Sequence, residues 1–314
     1  MSVRALCALR SELAYHSGML DVMLVMQGLG SFPVALGGAA RLRREVLPGV
    51  AAGTSVAAFA LTEPNAGSSL DEVETRAEKK GKGWVLSGKK TFISNAAIAR
   101  FFTVLARTAD ATKDAPGLSM FFVPNEAWGV DVEPFEVMAP HPIGDVVFKD
   151  CEIPEEFMLG KEGHGLELAL ATLARFRTTV AAAANGFSRR AIEESRAHLL
   201  ARRQFGRPLA KNQALRFDLA EMHTRLRAAE LLVDEAAALV DAGKESTLAV
   251  ARAKLFATET AGWICDRAVQ LHGGLGVKRG TTVERLYREC RALRIYEGTS
   301  EIQKLIIARE LLPG

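Results

Sequence analysis

Apolar positions recur at helical spacing through Leu6, Leu9 and Leu13, and again through Met19, Val22, Met23 and Met26. Residues 1–56 therefore read as helical, with breaks expected at Gly28, Gly30 and Pro33. From Ser55 to Pro154 the pattern shortens to β-rich runs, among them Trp84-Val-Leu-Ser-Gly, Phe101-Phe-Thr-Val-Leu and Leu118-Ser-Met-Phe-Phe-Val. Gly, Pro, Asn and Asp separate these runs, which predicts a small sheet or barrel. Long amphipathic stretches return at roughly 165–201, 211–242, 245–273 and 281–312, with Pro208, Gly243 and Gly273-Gly274-Leu-Gly276 between them. Four such helices predict an antiparallel bundle. The chain is expected to be mainly α with a central β-barrel domain: helical residues 1–56, a barrel over 57–156 and a four-helix bundle over 157–314.

Helices, then strands, then helices exclude the alternating βα pattern of a doubly wound sheet. The glycines at 273, 274, 276 and 280 lack both the G-x-G-x-x-G spacing and a preceding strand. A nucleotide cofactor, if bound, needs another architecture. With 314 residues, 48% of them hydrophobic, the chain can bury a sizeable core. Forty basic against 37 acidic residues give +3, too small a bias to imply nucleic acid or membrane partners. Cys7, Cys151, Cys265 and Cys290 form no C-x-x-C pair and read as free thiols in the cytoplasm. The histidines, from His16 to His272, never fall three or four apart, so no metal is assigned. Asp21 and Gln27 interrupt the apolar run near Met19, which argues against a signal peptide or a membrane span.

Four segments carry candidate chemistry. Phe59-Ala-Leu-Thr62-Glu63-Pro64-Asn65-Ala66-Gly67-Ser68-Ser69 runs from a strand into a turn whose amides and hydroxyls suit a flat heteroaromatic ring or a phosphate. Thr91-Phe92-Ile93-Ser94-Asn95 sets an aromatic ring two residues from a hydroxyl, on one strand face. Arg202-Arg203-Gln204-Phe205-Gly206-Arg207, at a helix end, suits either the macrodipole or a pyrophosphate. In Ile295-Tyr296-Glu297-Gly298-Thr299-Ser300-Glu301 a carboxylate precedes two hydroxyl residues able to cap the next helix. Each segment alone also has an ordinary structural reading.

In this order and spacing the four segments resemble the acyl-CoA dehydrogenase family, over about Asp21 to Leu312. The resemblance implies bound FAD, with Phe59, Leu61, Thr62, Ser68, Phe92 and Ser94 around the flavin ring. Phe92 and Ser94 stand where the family commonly has Trp and Thr, and Ser69 where it has Asp. Arg202, Gln204, Phe205 and Gln213 would reach the adenosine diphosphate of FAD in a neighbouring subunit, so a dimer or tetramer is implied. Gln270, Gly274, Thr299 and Glu301 would complete the cofactor contacts. Ser68, Arg177 and Gly298 fall on the substrate side. The family has a further helical stretch before this chain's start, so the first helical domain is expected to be shortened. The loop Ala139-Pro-His-Pro-Ile-Gly-Asp is also short for the family, and His141 reads as a loop residue.

Family branches with the base on the first bundle helix carry Glu where Phe176 stands, which leaves Glu297 as the matching carboxylate. The implied reaction is α,β-dehydrogenation of an acyl-CoA to the trans-2-enoyl-CoA, with an electron-transfer flavoprotein as acceptor. Glu297 would take the α-proton while a hydride leaves the β-carbon for flavin N5. The Glu297 amide and a ribityl hydroxyl would polarise the thioester oxygen. Two alternatives stay open: an acyl-CoA oxidase or flavin monooxygenase on the same scaffold, marked by oxygen consumption, and a noncatalytic scaffold member, marked by purification without flavin.

Overall fold

The computed structural model describes residues 1–112 and 116–312. Three helices come first: α1 (Val3–His16), α2 (Gly18–Gly37) and α3 (Ala40–Ala51). Eight strands follow: β1 (Ala57–Ala60), β2 (Arg76–Lys80), β3 (Gly83–Ser94), β4 (Phe101–Arg107), β5 (Leu118–Pro124), β6 (Val130–Pro134), β7 (Ile143–Pro154) and β8 (Met158–Leu159). Helix α4 (Gly165–Ala201) then leads through a two-stranded ribbon, β9 (Arg203–Gln204) and β10 (Arg207–Pro208), to α5 (Gln213–Asp241), α6 (Thr247–His272), α7 (Thr282–Arg291) and α8 (Ser300–Leu311). Helices give way to strands between Ala51 and Ala57, and strands to helices between Leu159 and Gly165. Packing groups the chain into two compact units, Val22–Ala174 and Met1–Asp21 with Arg175–Gly314.

Within the first of these units the strands form one sheet in the order β6-β7-β3-β2-β4-β5-β8, with β1 added in parallel beside β4. The expected barrel is corrected here: β6 and β8 are the two ends, and among the described residues the sheet does not close. Its core follows from alternation. Trp84 and Leu86 of β3, Phe102, Val104 and Ala106 of β4, and Phe121 and Val123 of β5 enter one buried cluster.

The breaks expected at Gly28, Gly30 and Pro33 do not occur, and α2 runs through all three. Val25, Leu29 and Val34 are buried along it, and that burial outweighs the missing proline N–H. Gly30 has a packing reason: a Cβ there would lie 2.7 Å from the Ala57 Cβ and 2.8 Å from the Ala58 nitrogen. Gln27 ties the same helix to the sheet, donating to Ser55 O at 2.9 Å and accepting from Ala57 N at 2.7 Å. By length and composition α2 is also the one helix among the described residues apolar enough to cross a membrane.

In the other unit α6 is the central helix, packed against α5, α7 and α8, while α1 packs on α5. Small residues allow this close approach: Ala181, Ala183, Ala184, Ala253, Ala257 and Ala261 are wholly buried. The last predicted helix, 281–312, is two helices, because Ile295–Thr299 leaves the helical path between α7 and α8. Glu297 and Gly298 adopt φ of 52° and 95°, values that end a right-handed helix.

Replacing Gly30 by Val is expected to cost about 1–3 kcal/mol through overpacking against β1. Thermal unfolding at an unchanged Tm would refute that close contact.

Candidate active site

Glu297 sits at the centre of a turn anchored from three helices. Arg177, on α4, donates from Nε to the Glu297 carbonyl oxygen at 3.1 Å. Lys254, on α6, donates from Nζ to the next carbonyl, that of Gly298, at 2.6 Å. Gln303, on α8, donates from Nε2 to the same Gly298 oxygen at 3.1 Å. Thr299 caps α8 by accepting from Ile302 N at 3.3 Å, as its position before the helix predicts. Ser300 donates to Glu259 at 2.5 Å, and Arg294 pairs with the other oxygen of Glu259 at 3.0 Å. These bonds offset the cost of a non-glycine residue at positive φ. Gly298 is confined as well, since a Cβ there would meet Gln303 Nε2 at 2.6 Å.

The carboxylate itself is left to other uses. Its Oε2 is buried and accepts no hydrogen bond from the described residues. Burial raises the Glu297 carboxyl above its ordinary value; Arg10, Lys254 and Arg177 pull it down, and Asp21 adds to the rise. Arg10 of α1 is committed elsewhere. It makes a buried two-pronged pair with Asp21, at 2.7 Å from Nε and 2.7 Å from Nη2, and donates to Thr179 Oγ1 at 2.8 Å. Phe176, the neighbour of Arg177 on α4, is buried.

In the sheet unit the two flavin-type segments meet. Thr91 N donates to Thr62 O at 2.9 Å, so the turn after β1 lies beside β3. Glu63 is buried and locks that turn: it accepts from Glu74 N at 2.6 Å, Thr75 N at 3.0 Å and Lys90 Nζ at 2.6 Å. Lys90 also donates to Leu61 O at 3.0 Å. Burial would raise the Glu63 carboxyl, but Lys90 and the hydrogen bonds win and hold it below its ordinary value. Burial draws the Lys90 ammonium down to about 8 against the pull of Glu63. A register shift between Lys90 and Ile93 turns Phe92 to φ 56°. Phe92 is 62% exposed, packing edge-on against Phe135, and Ser94 bonds to His141 at 3.1 Å. Phe59 and Leu61 are buried, Thr62 is half-buried, and Ser68 is exposed.

The third group gathers at helix ends. Arg202 follows the last turn of α4, donating from its amide to His198 O at 2.8 Å; Gln204 lies in the first ribbon strand and Phe205 in the turn after it, 97% exposed. His198 stacks on His272 at 4.3 Å, which brings the end of α4 to the end of α6 and the Gln270–Gly274 segment. Gln213 opens α5, and Gln213, Gln270, Gly274 and Glu301 are all exposed. Sequence reading missed Arg10, Lys90, Lys254 and the histidine stack. Lysines inside amphipathic segments carry no local signal of the carbonyl they will meet. Among the described residues no cluster of three or more metal-ligating side chains occurs.

Substituting Glu63→Gln is expected to cost about 3–5 kcal/mol by leaving Lys90 a buried charge without its counter-charge. The carboxyl's folded pKa is depressed, so its contribution is full above its unfolded value and is lost as pH falls through the folded one. Denaturation curves of the two proteins should therefore converge on acidification; a gap that holds steady into acid would contradict the assignment.

Comparison with known proteins agrees with this arrangement. Residues 58–151 match the family model for the acyl-CoA dehydrogenase middle domain, and residues 163–312 match that for its C-terminal domain. The chain is 35% identical to cyclohexane-1-carbonyl-CoA dehydrogenase of Geobacter metallireducens over 310 residues, 98% of this chain and 81% of that one. It is 37% identical to the caffeyl-CoA reductase-Etf complex subunit CarC of Acetobacterium woodii over 309 residues, covering 96% and 80%. The butyryl-CoA dehydrogenase structure from Megasphaera elsdenii superposes with a TM-score of 0.94 at 32% identity, covering 99% and 82%. A helical unit, an open sheet unit and a matching sequence along nearly the whole length lead to one assignment: the chain belongs to the acyl-CoA dehydrogenase family of flavin-dependent oxidoreductases.

Proposed function

We propose that the protein dehydrogenates an acyl-CoA thioester between its α- and β-carbons to the trans-2-enoyl-CoA, with Glu297 as the base. The observation that carries this reading is the Oε2 of Glu297, a buried acceptor that bonds to no described residue, on a carboxyl whose pKa is raised by burial. A base for a carbon acid needs that combination: it must be dry, ionisable near the working pH and uncommitted. The Cα–H bond breaks toward Glu297, its electron pair becomes the new double bond, and the β-hydrogen leaves with its pair. FAD, when bound, supplies the acceptor for that hydride.

The residues present fit such a cofactor. An exposed Phe92 ring beside the bonded Thr62 turn offers a face and hydroxyls to a flat heteroaromatic ring. Ser94 and Ser68 add hydroxyls, and Phe59 and Leu61 back the turn. Arg202, Gln204, Phe205 and Gln213, with Gln270, Gly274, Thr299 and Glu301, would hold the adenosine diphosphate part, contributed across subunits of a homo-oligomer. All of these but the half-buried Thr299 are exposed in the single chain, which supports this, as does guanidinium geometry toward pyrophosphate. Arg177 holds the base's own backbone, so its effect on substrate passes through Glu297. An electron-transfer flavoprotein is the proposed acceptor, following the relative named as part of an Etf complex. That relative is named a reductase, and the reverse direction uses the same residues, with protonated Glu297 returning a proton to the α-carbon.

Glu297→Gln is expected to retain FAD while anaerobic flavin bleaching by acyl-CoAs slows about a thousandfold. In the parent protein bleaching should slow as pH falls through the raised Glu297 pKa, because only the ionised carboxyl accepts the proton. A Gln variant bleached at the parent rate would move the base elsewhere.

A further inference from the structure

Lys254 has no part in the chemistry above, yet it is wholly buried in α6. An ammonium in that setting is costly unless its hydrogen bonds are strong and its charge is used. Its ammonium donates to a backbone oxygen, Gly298 O at 2.6 Å, and among the described residues not to a carboxylate. The neighbouring carbonyl, that of Glu297, takes the guanidinium of Arg177 from a different helix. Two successive peptide groups, the two that flank Gly298, are thus each held by a cation where Glu297 and Gly298 both have positive φ. The charged groups that act on Lys254 are Glu297 on the turn, Arg177 on α4, Glu259 on α6 itself and Glu301 on α8. Glu259 is already bonded to Ser300 and Arg294.

We propose that Lys254 is a positioning residue: its ammonium clamps the Gly298 carbonyl, fixes the left-handed Glu297–Gly298 turn, and adds a positive charge that acts on the Glu297 carboxylate. The second half rests on the reading of Glu297 as the base; the clamp does not. Burial draws Lys254 down to about 8 despite the opposing pull of Glu297, so the ammonium form prevails at neutral pH. A charge-assisted bond to a carbonyl is about twice as strong as a neutral one, which suits a strained turn. Methionine would fill the same volume but supply neither donor nor charge, whereas glutamine would keep a donor and drop the charge.

The test compares Lys254→Met and Lys254→Gln with the parent as full chains carrying flavin. Amide hydrogen exchange is followed over residues 294–303, and the pH profile of flavin reduction by an acyl-CoA is recorded. In the Met variant exchange of this segment should quicken by about tenfold. In both variants the acidic limb of the profile should move up by about one pH unit, since a charge that lowers the Glu297 pKa is gone. The Gln variant should keep more of the exchange protection, and it preserves the test if the Met variant fails to fold. Parent-like exchange in the Met variant would overturn the clamp, and an unmoved limb in both variants would overturn the charge. Reduction that persists in Glu297→Gln, alongside faster exchange in Lys254→Met, would remove the base assignment and leave the clamp standing.

Discussion

The bonds from Arg177 Nε to the Glu297 carbonyl and from Lys254 Nζ to the Gly298 carbonyl hold a backbone conformation that L residues rarely adopt unaided. Remove them and the sequence between α7 and α8 has little reason to leave the helix, since Tyr296 and Glu297 are compatible with one. The turn decides where the carboxylate points. It also decides that Oε2 ends buried and without a bond from the described residues, on a carboxyl that burial raises above its ordinary value. Arg10 contributes through its field, its own donors being spent on Asp21 and Thr179.

The same device recurs in the sheet unit. There Lys90, wholly buried, donates to the Leu61 carbonyl and to Glu63, and so fixes the turn that begins at Thr62. In each unit a lysine out of reach of water grips main-chain oxygen next to a candidate site turn. Backbone carbonyls suit this task because they cannot be protonated away, and a cation that holds one fixes a peptide plane as well as a distance. The two lysines differ in company. Lys90 has a full carboxylate partner in Glu63, while Lys254 shares the field of several acids at longer range.

Much of the secondary structure could be read from periodicity, because α4 and the strands β3, β4 and β5 follow their apolar patterns closely. Three features could not. Pro33 and Gly30 are local breakers, but α2 is stabilised by contacts with Ala57 that lie outside any helical window. Sheet closure depends on which strands pair at the ends, and alternation within a strand is silent about that. The interruption at Ile295–Thr299 contains Gly298 and the capping Thr299, but the path it takes is held by partners from α4 and α6, which no local pattern announces. At the site, the turn residues stood out through the family resemblance, whereas Lys90, Lys254 and Arg10 looked like ordinary charges on amphipathic helices or strands.

Splitting the last helix has a price in robustness. Residues 295–299 give up the regular i to i−4 ladder, so the usual route to a hardier protein, replacing loop and glycine positions with strong helix formers, would here favour a rod that joins α7 to α8. Such a variant would resist heat better while turning its carboxylate along the rod's surface. On the proposal that Glu297 is the base, the kink is a place where selection for endurance and selection for turnover pull on the same five residues in opposite directions.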